Sequence, residues 1–221
     1  MEDQKKAYLF ALVAVLIWST VASAFKISLR YVDHIQMLFY AAVVTVAVLF
    51  VVLLVQKKLY FLKRYTWKDY LKSAIMGLVN PFLYYLVLFK AYSLLQAQEA
   101  QPLNYTWPIW LVLLSIPFLK QKINVLSVVA IIISFCGVVM IATGGKVSGL
   151  SFSNPWGVLL GLGSAVIWAS FWIMNLRDKR DEVAKLFLNF CFGTVYIFVV
   201  LMIFSEPVVT HRWGLAGMAY V

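Results

Sequence analysis

The chain has 221 residues, 63% of them hydrophobic and only 13% charged, with a mean hydropathy of +0.88. A soluble domain carries roughly 25% charged residues, so a water-soluble fold is excluded and the bilayer is the solvent that suits this composition. The net charge of +10 would suit nucleic acid only as a patch on a soluble face; here the basic residues sit in short loops between apolar runs, which points to membrane topology and away from nucleic acid.

A helix needs about 20 apolar residues to cross a bilayer. Seven runs qualify: residues 7–27, 37–55, 71–89, 103–119, 126–143, 156–175 and 183–204. An eighth begins at Trp213 and reaches Val221. In the first run, Lys5 and Lys6 precede an apolar stretch ending in Ala22-Ser23-Ala24, which resembles a cleavable signal peptide. The internal repeat described below argues instead for a retained span.

Loop charge sets the orientation. Lys5 and Lys6, the six cations Lys57, Lys58, Lys63, Arg64, Lys68 and Lys72, then Lys120, Lys122, Arg177, Lys179, Arg180 and Lys185 all fall on one side. The other side holds Lys26, Arg30, Lys146 and Arg212. The richer side is expected to be cytoplasmic, which places the N-terminus inside. Tyr60, Phe61, Tyr65, Trp67 and Tyr70 on that side read as an interfacial aromatic belt. Asn154 followed by Pro155 predicts the cap and first residue of run six. Gly157, Gly161, Ala165 and Ala169 then recur every fourth residue, a stripe that admits a closely packed helix. Cys136 and Cys191 lie in apolar runs and read as packing residues; His34 and His211 read as solvated loop side chains.

The chain repeats itself. Leu16-Ile17-Trp18-Ser19-Thr20 matches Val166-Ile167-Trp168-Ala169-Ser170, the segment from Asp33 to Phe39 matches that from Asp181 to Phe187, and Phe50-Val51-Val52-Leu53 matches Phe198-Val199-Val200-Leu201. Trp67 then corresponds to Trp213. The repeat unit holds five spans. An odd number inserts the second copy upside down, and inverted copies are a mark of transporters that alternate access about a midplane site. The fold expected is therefore an all-α polytopic membrane protein with inverted five-helix repeats of a ten-span transporter, here seven spans and the start of an eighth. Residues 1–150 form the first copy and residues 151–221 an incomplete second, as in a fragment of a longer protein.

These segments, together with the stretch from Ala97 to Pro108 (Ala-Gln-Glu-Ala-Gln-Pro-Leu-Asn-Tyr-Thr-Trp-Pro), resemble the drug/metabolite transporter superfamily in its EamA-like branch. The Asn104-Tyr105-Thr106-Trp107-Pro108 segment is similar to members likened to aromatic amino-acid exporters. The resemblance implies ten helices in two inverted copies, cytoplasmic termini, and export or exchange of metabolites. Leu119-Lys120-Gln121-Lys122 stands where many members carry Gly-Glu after span four, which weakens any role for that glutamate here.

Every carboxylate reads as a loop or helix-end residue, with Glu99 near the outer start of run four, so no midplane acid is expected. There is no paired carboxylate, no His/Cys cluster and no nucleophile–base pair, so neither enzyme, metal site nor cofactor is expected, and proton coupling lacks its group. Polar and aromatic residues gather instead at one depth. Gln101, Asn104, Pro108 and Ser115 fall on one face of a continuous helix, with Pro108 freeing the Asn104 carbonyl; Pro81 likewise frees that of Gly77 beside Asn80, with Tyr84 one turn on. Either these are the broken helices of a binding site or they are ordinary proline kinks. Trp18, Trp168 and Trp172 are either aromatic walls of a pocket or packing between helices. Lys90, read as the end of run three, either anchors a carboxylate, pairs with Glu99, or snorkels to the interface.

The substrate pathway expected from these residues is Trp18, Asn80, Tyr84, Asn104, Tyr105, Trp107, Trp168 and Trp172, with Lys90 and Glu99 as charged anchors. The function expected is export or exchange of small metabolites, amino acids among them, across the inner membrane. A seven-span receptor and a non-transporting membrane protein are the competing readings. The partners expected are a small-molecule solute and the lipid bilayer, with a homodimer left open.

Overall fold

The computed structural model describes residues 2–142, Gly145 and residues 154–204, and all regular structure among them is helical. Helix α1 (Glu2–Ser28) is followed by α2 (His34–Val55). Asp33 starts α2: its carboxylate accepts from the backbone N–H groups of Ile35 and Gln36 at 2.7 and 2.9 Å, and the Gln36 side chain accepts from the Asp33 N–H at 3.4 Å. This capping box satisfies donors that a helix end otherwise leaves free. A short helix, α3 (Tyr60–Arg64), leads into run three.

Runs three and four are each broken in two. α4 (Trp67–Gly77) and α5 (Tyr84–Leu94) are joined by the wide-turned segment Leu78–Leu83, in which Asn80 leaves the helical region at φ −146°, ψ 120°. Pro81 explains both facts, since proline offers no N–H and pushes the residue before it towards extended backbone. α6 (Ala97–Asn104) and α7 (Trp107–Leu119) are separated at Tyr105 and Thr106, just ahead of Pro108. α8 (Val125–Ala142), α9 (Pro155–Leu176) and α10 (Glu182–Phe204) complete the described chain. The Asn154 side chain caps α9 through the Gly157 N–H at 2.9 Å, as its sequence predicts.

Six of the seven runs are covered by helical stretches long and apolar enough to cross a membrane, and α8 carries a shorter apolar stretch, Val125–Met140. Run three extends from Trp67 to Leu94 and run four begins at Ala97. Lys90 therefore lies inside α5 and not at its end, and Glu99 sits in the first turn of α6. The expectation that Gln101, Asn104, Pro108 and Ser115 share one helical face fails because the break before α7 turns the chain: Asn104 and Ser115 are buried while Pro108 is exposed. The eighth run, the Trp67–Trp213 correspondence, Lys146, Arg212 and His211 lie outside the described residues.

Two seams hold the helices together. α9 packs against α5, α6 and α7 through its small-residue stripe: a Cβ on Gly157 or Gly161 would press on Leu95 or Leu103, and Ala165 and Ala169 are fully buried. α10 packs against α2, with Phe39 on Phe198 (ring centroids 5.7 Å apart) and Phe50 on Phe187 (6.0 Å), an antiparallel crossing. Its other face meets α4 and the Leu78–Leu83 segment, where Gly77 and Gly193 let the backbones touch. α1 is more peripheral, and the Lys26 ammonium ties it in by donating to the carbonyls of Tyr92 and Leu95, both at 2.7 Å. A cation suits that position at the C-terminal end of α5.

A methyl group at Gly77 would lie 2.4 Å from the Asn189 carbonyl oxygen and 3.0 Å from the Gly193 nitrogen, both backbone atoms, so the helices must part to admit it. Gly77→Ala is expected to destabilise the protein by about 1–3 kcal/mol in detergent unfolding. Gly137→Ala, where nothing lies within 4 Å, serves as the neutral control.

Candidate functional site

A crevice of about 550 Å³ lies between α1, α5, α6, α7 and α9, beside the break in run four. Trp18 and Ser19 line it from α1, Tyr84 from the first turn of α5, Gln101 and Asn104 from the end of α6, Tyr105 and Trp107 from the break, and Trp168 and Trp172 from α9. Tyr84 and Trp168 stack with centroids 4.5 Å apart and planes 30° from parallel, and Trp172 meets Trp168 edge-on at 6.0 Å. Asn104 is buried beneath them. Its amide nitrogen donates to the Ser164 hydroxyl at 2.9 Å, Ser164 donates to the Gly161 carbonyl at 2.6 Å, and the Tyr84 hydroxyl reaches the Asn104 side-chain oxygen at 3.4 Å.

The helix break positions Asn104. As the last residue of α6 it turns its side chain onto α9, where Gly161 allows the close approach that brings Ser164 within reach. Among the described residues, the lining contains no Asp, Glu, Lys, Arg or His. Flat apolar walls with a few fixed amide and hydroxyl groups suit a small neutral or zwitterionic molecule with an apolar or planar part. Among the described residues no group of three His, Cys, Asp or Glu side chains is placed to hold a metal ion.

Seven of the sequence-predicted pathway residues meet in this crevice: Trp18, Tyr84, Asn104, Tyr105, Trp107, Trp168 and Trp172. Asn80 does not line it; it is buried in the kinked segment that packs on α10. Lys90 and Glu99 are not among the lining residues either, so the charged-anchor expectation finds no support in the crevice geometry. Ser164, which the sequence reading passed over, fixes Asn104. Its spacing of four from Trp168, and of eight from Trp172, places the three on one face of α9, a signal that helical periodicity offers.

Beyond Gln101 and Tyr105 the crevice adjoins a hollow lined by Ser23, Ala97, Gln98 and Pro102, towards the end of the molecule that holds Lys26. The opposite end is a charge cluster. From Trp172, α9 runs four residues, about 6 Å of rise, to its end at Leu176, and Asp178 follows two residues on in the turn. The buried Asp178 carboxylate receives a two-pronged contact from Arg180 at 2.7–3.1 Å and the Lys72 ammonium at 3.2 Å. Arg180 also donates to the Asp69 carbonyl at 2.6 Å and the Ser73 hydroxyl at 2.9 Å. Lys58 pairs with Asp181 at 2.8 Å, and Arg177 donates to the carbonyl of Phe118 at the end of α7. Burial works to raise the Asp178 carboxyl, but its hydrogen bonds to Arg180, the guanidinium charge and Lys72 outweigh it and hold the group at about 2.

The EamA-like transporter family matches residues 5–143. An uncharacterized transporter of Archaeoglobus fulgidus is 22% identical over 220 residues, covering 98% of this chain and 74% of the relative. The uncharacterized inner membrane transporter YhbE of Escherichia coli K12 is 25% identical over 86% of this chain and 60% of its own length. The aromatic amino acid exporter YddG of Ancylobacter novellus is 25% identical over 60% of this chain and 46% of its own length. The chain thus spans between about half and three quarters of these relatives. No solved structure matches it.

The charge cluster carries a definite pH signature. A carboxyl held at about 2, below its ordinary 3.8, contributes stability that is complete above 3.8 and lost as pH falls through 2. Asp178→Asn is expected to melt roughly 2–4 °C below the unmodified chain. That difference should stay constant from neutral pH down to about 4.5 and shrink towards zero near pH 2, as read by thermal unfolding in detergent.

Proposed function

The chain belongs to the EamA-like transporter family, and on that premise we propose that it carries small organic solutes, with amino acids the leading class, across the inner membrane by alternating access. The observation that carries this reading is the aromatic crevice itself, because its walls come from both halves of the sequence repeat: α1, α5, α6 and α7 from the first, α9 from the second. A site at the junction of two copies opens to one side or the other when the copies rock.

Several features support two inverted copies. Phe39 and Phe187 are repeat mates, as are Phe50 and Phe198, so the Phe39–Phe198 contact maps onto the Phe187–Phe50 contact under exchange of the copies. Asp181, the mate of Asp33, accepts from the N–H groups of Val183 and Ala184 at 3.1 and 3.0 Å and starts α10 as Asp33 starts α2. Loop charge supports a cytoplasmic N-terminus, and the similarity to an inner membrane transporter supports the location. Because the lining has no carboxylate among the described residues, uniport or exchange fits the crevice better than proton antiport. Amino-acid export rests on similarity to the aromatic amino acid exporter and on a neutral pocket that accepts a zwitterion.

Proteoliposomes holding this protein test the reading by exchange of a panel of labelled amino acids. Saturable exchange above that of empty vesicles is expected, and Asn104→Ala should lower it by about tenfold, the loss of roughly one hydrogen bond to solute. Folded protein that exchanges nothing in the panel removes the amino-acid assignment.

A further inference from the structure

We propose that the turn joining α9 to α10 is a gate that holds the crevice shut at its cytoplasmic end, with Arg180 as the bolt and Asp178 as the counterion that travels with it. The proposal rests on the two copies and the orientation given above, but not on the identity of the solute.

Position comes first. The hollow that adjoins the crevice leads to the Lys26 end, while the charge cluster stands at the other, in the turn just past the end of α9, one helical turn beyond Trp172. For the crevice to open to the cytoplasm, the second copy must part from the first at this point. Among the described residues, the polar links from the α9–α10 turn and its flanks to the first copy run mainly to α4 or the approach to it: Arg180 to the Asp69 carbonyl and the Ser73 hydroxyl, Lys72 to Asp178, and Lys58 to Asp181, with Arg177 reaching the Phe118 carbonyl at the end of α7. The Arg180 guanidinium also lies 5.4 Å from the centre of the Tyr65 ring.

The wiring of these charges separates a gate from a permanent staple. The strongest pair, Arg180 on Asp178, is internal to the turn. So is the Lys185 ammonium, which donates to the Asp178 carbonyl and to the Glu182 carboxylate at 3.0 and 2.8 Å. When the seam parts, Arg180 and Asp178 leave together, already neutralised, and no bare charge is stranded in an apolar interior. The first copy gives up only exchangeable partners. Lys72 is 43% exposed and Lys58 32% exposed, so water takes over readily from the lost contacts. The α2–α10 seam is different: its contacts are aromatic and apolar, they have no substitute in water, and they stay closed as the axis about which the turn swings.

Cysteine accessibility tests this without any transport assay. Cys136 and Cys191 are replaced by serine, and one reporter is placed at a time: Ser73→Cys, wholly buried under Arg180, or Ser23→Cys, exposed in the hollow at the other end. Each is labelled with a membrane-impermeant maleimide in vesicles of both orientations. With the gate intact, Ser23→Cys reacts from the outside and Ser73→Cys is protected. Adding Asp178→Asn is expected to raise Ser73→Cys labelling from the cytoplasmic side at least fivefold and to lower Ser23→Cys labelling in parallel. The double variant Lys72→Gln, Lys58→Gln leaves the Asp178–Arg180 pair whole and guards against misfolding; a smaller shift in the same directions is expected. A Ser73→Cys that stays protected in both backgrounds overturns the gate. So does one that becomes reactive while Ser23→Cys is unchanged, which marks a local staple. Labelling of Ser23→Cys from the cytoplasmic side overturns the orientation on which the gate is placed. Failure of the amino-acid panel leaves all of these outcomes intact.

Discussion

The architecture depends on one constraint: inside a bilayer a backbone carbonyl that loses its helical partner must be covered by protein or face a cavity. Pro81 and Pro108 each impose such a loss, at Gly77 and at Asn104. The first is covered by α10, which approaches so closely at Gly193 that only glycine fits on either side. The second lies at the crevice, where the freed end of α6 carries Asn104 into contact with Ser164. The two prolines therefore have different consequences: one builds the seam to α10, and the other builds the site. Both depend on small residues in the opposing helix, since bulky side chains on α9 or α10 would leave the broken turns facing lipid.

Much of this was legible in the sequence because it follows from periodicity and from proline. The stripe from Gly157 to Ala169 reads directly as a close-packed face, and Gly157 and Gly161 do sit against Leu95 and Leu103. Asn154 and Pro155 announce the start of α9, and Trp18, Tyr84, Asn104 and Trp168, which share a depth in their runs, line one crevice. What failed were statements that treat a broken helix as continuous. Pro108 was placed on one face with Asn104 by counting through Tyr105 and Thr106, where the chain in fact turns. Hydropathy ends run three near Lys90, yet α5 continues through the polar Ser93 to Leu94. Asn80, expected in the pathway because Pro81 frees the Gly77 carbonyl beside it, is extended ahead of that proline and lies outside the crevice lining.

The charge cluster was invisible for another reason. In sequence Lys58, Lys72, Asp178 and Arg180 are loop charges, and loop charges carry topological information only as a sum. Nothing in their spacing tells which cation meets which acid. That pairing is decided by the approach of the α9–α10 turn to α4, a tertiary fact more than 100 residues distant along the chain. The same holds for Lys26, a lone cation at the end of α1 that only the fold brings to the C-terminal carbonyls of α5.

The distribution of charge around the crevice also limits what it can hold. Lys26 lies towards one end, the Asp178 cluster stands at the other, and among the described residues the lining between them contains no carboxylate, ammonium, guanidinium or imidazole. A solute with net charge would enter low-dielectric surroundings without a counterion, at a penalty of several kcal/mol. A zwitterion or neutral molecule avoids most of that penalty, because its own dipole can be met by the amide of Asn104 and by Gln101 while its apolar part lies against Trp168 and Trp18. The aromatic walls and the missing carboxylate are thus two sides of one property. A crevice of this kind would bind by desolvating flat apolar surface, and the ionic interactions lie at the ends of the helices, where water is available to replace them.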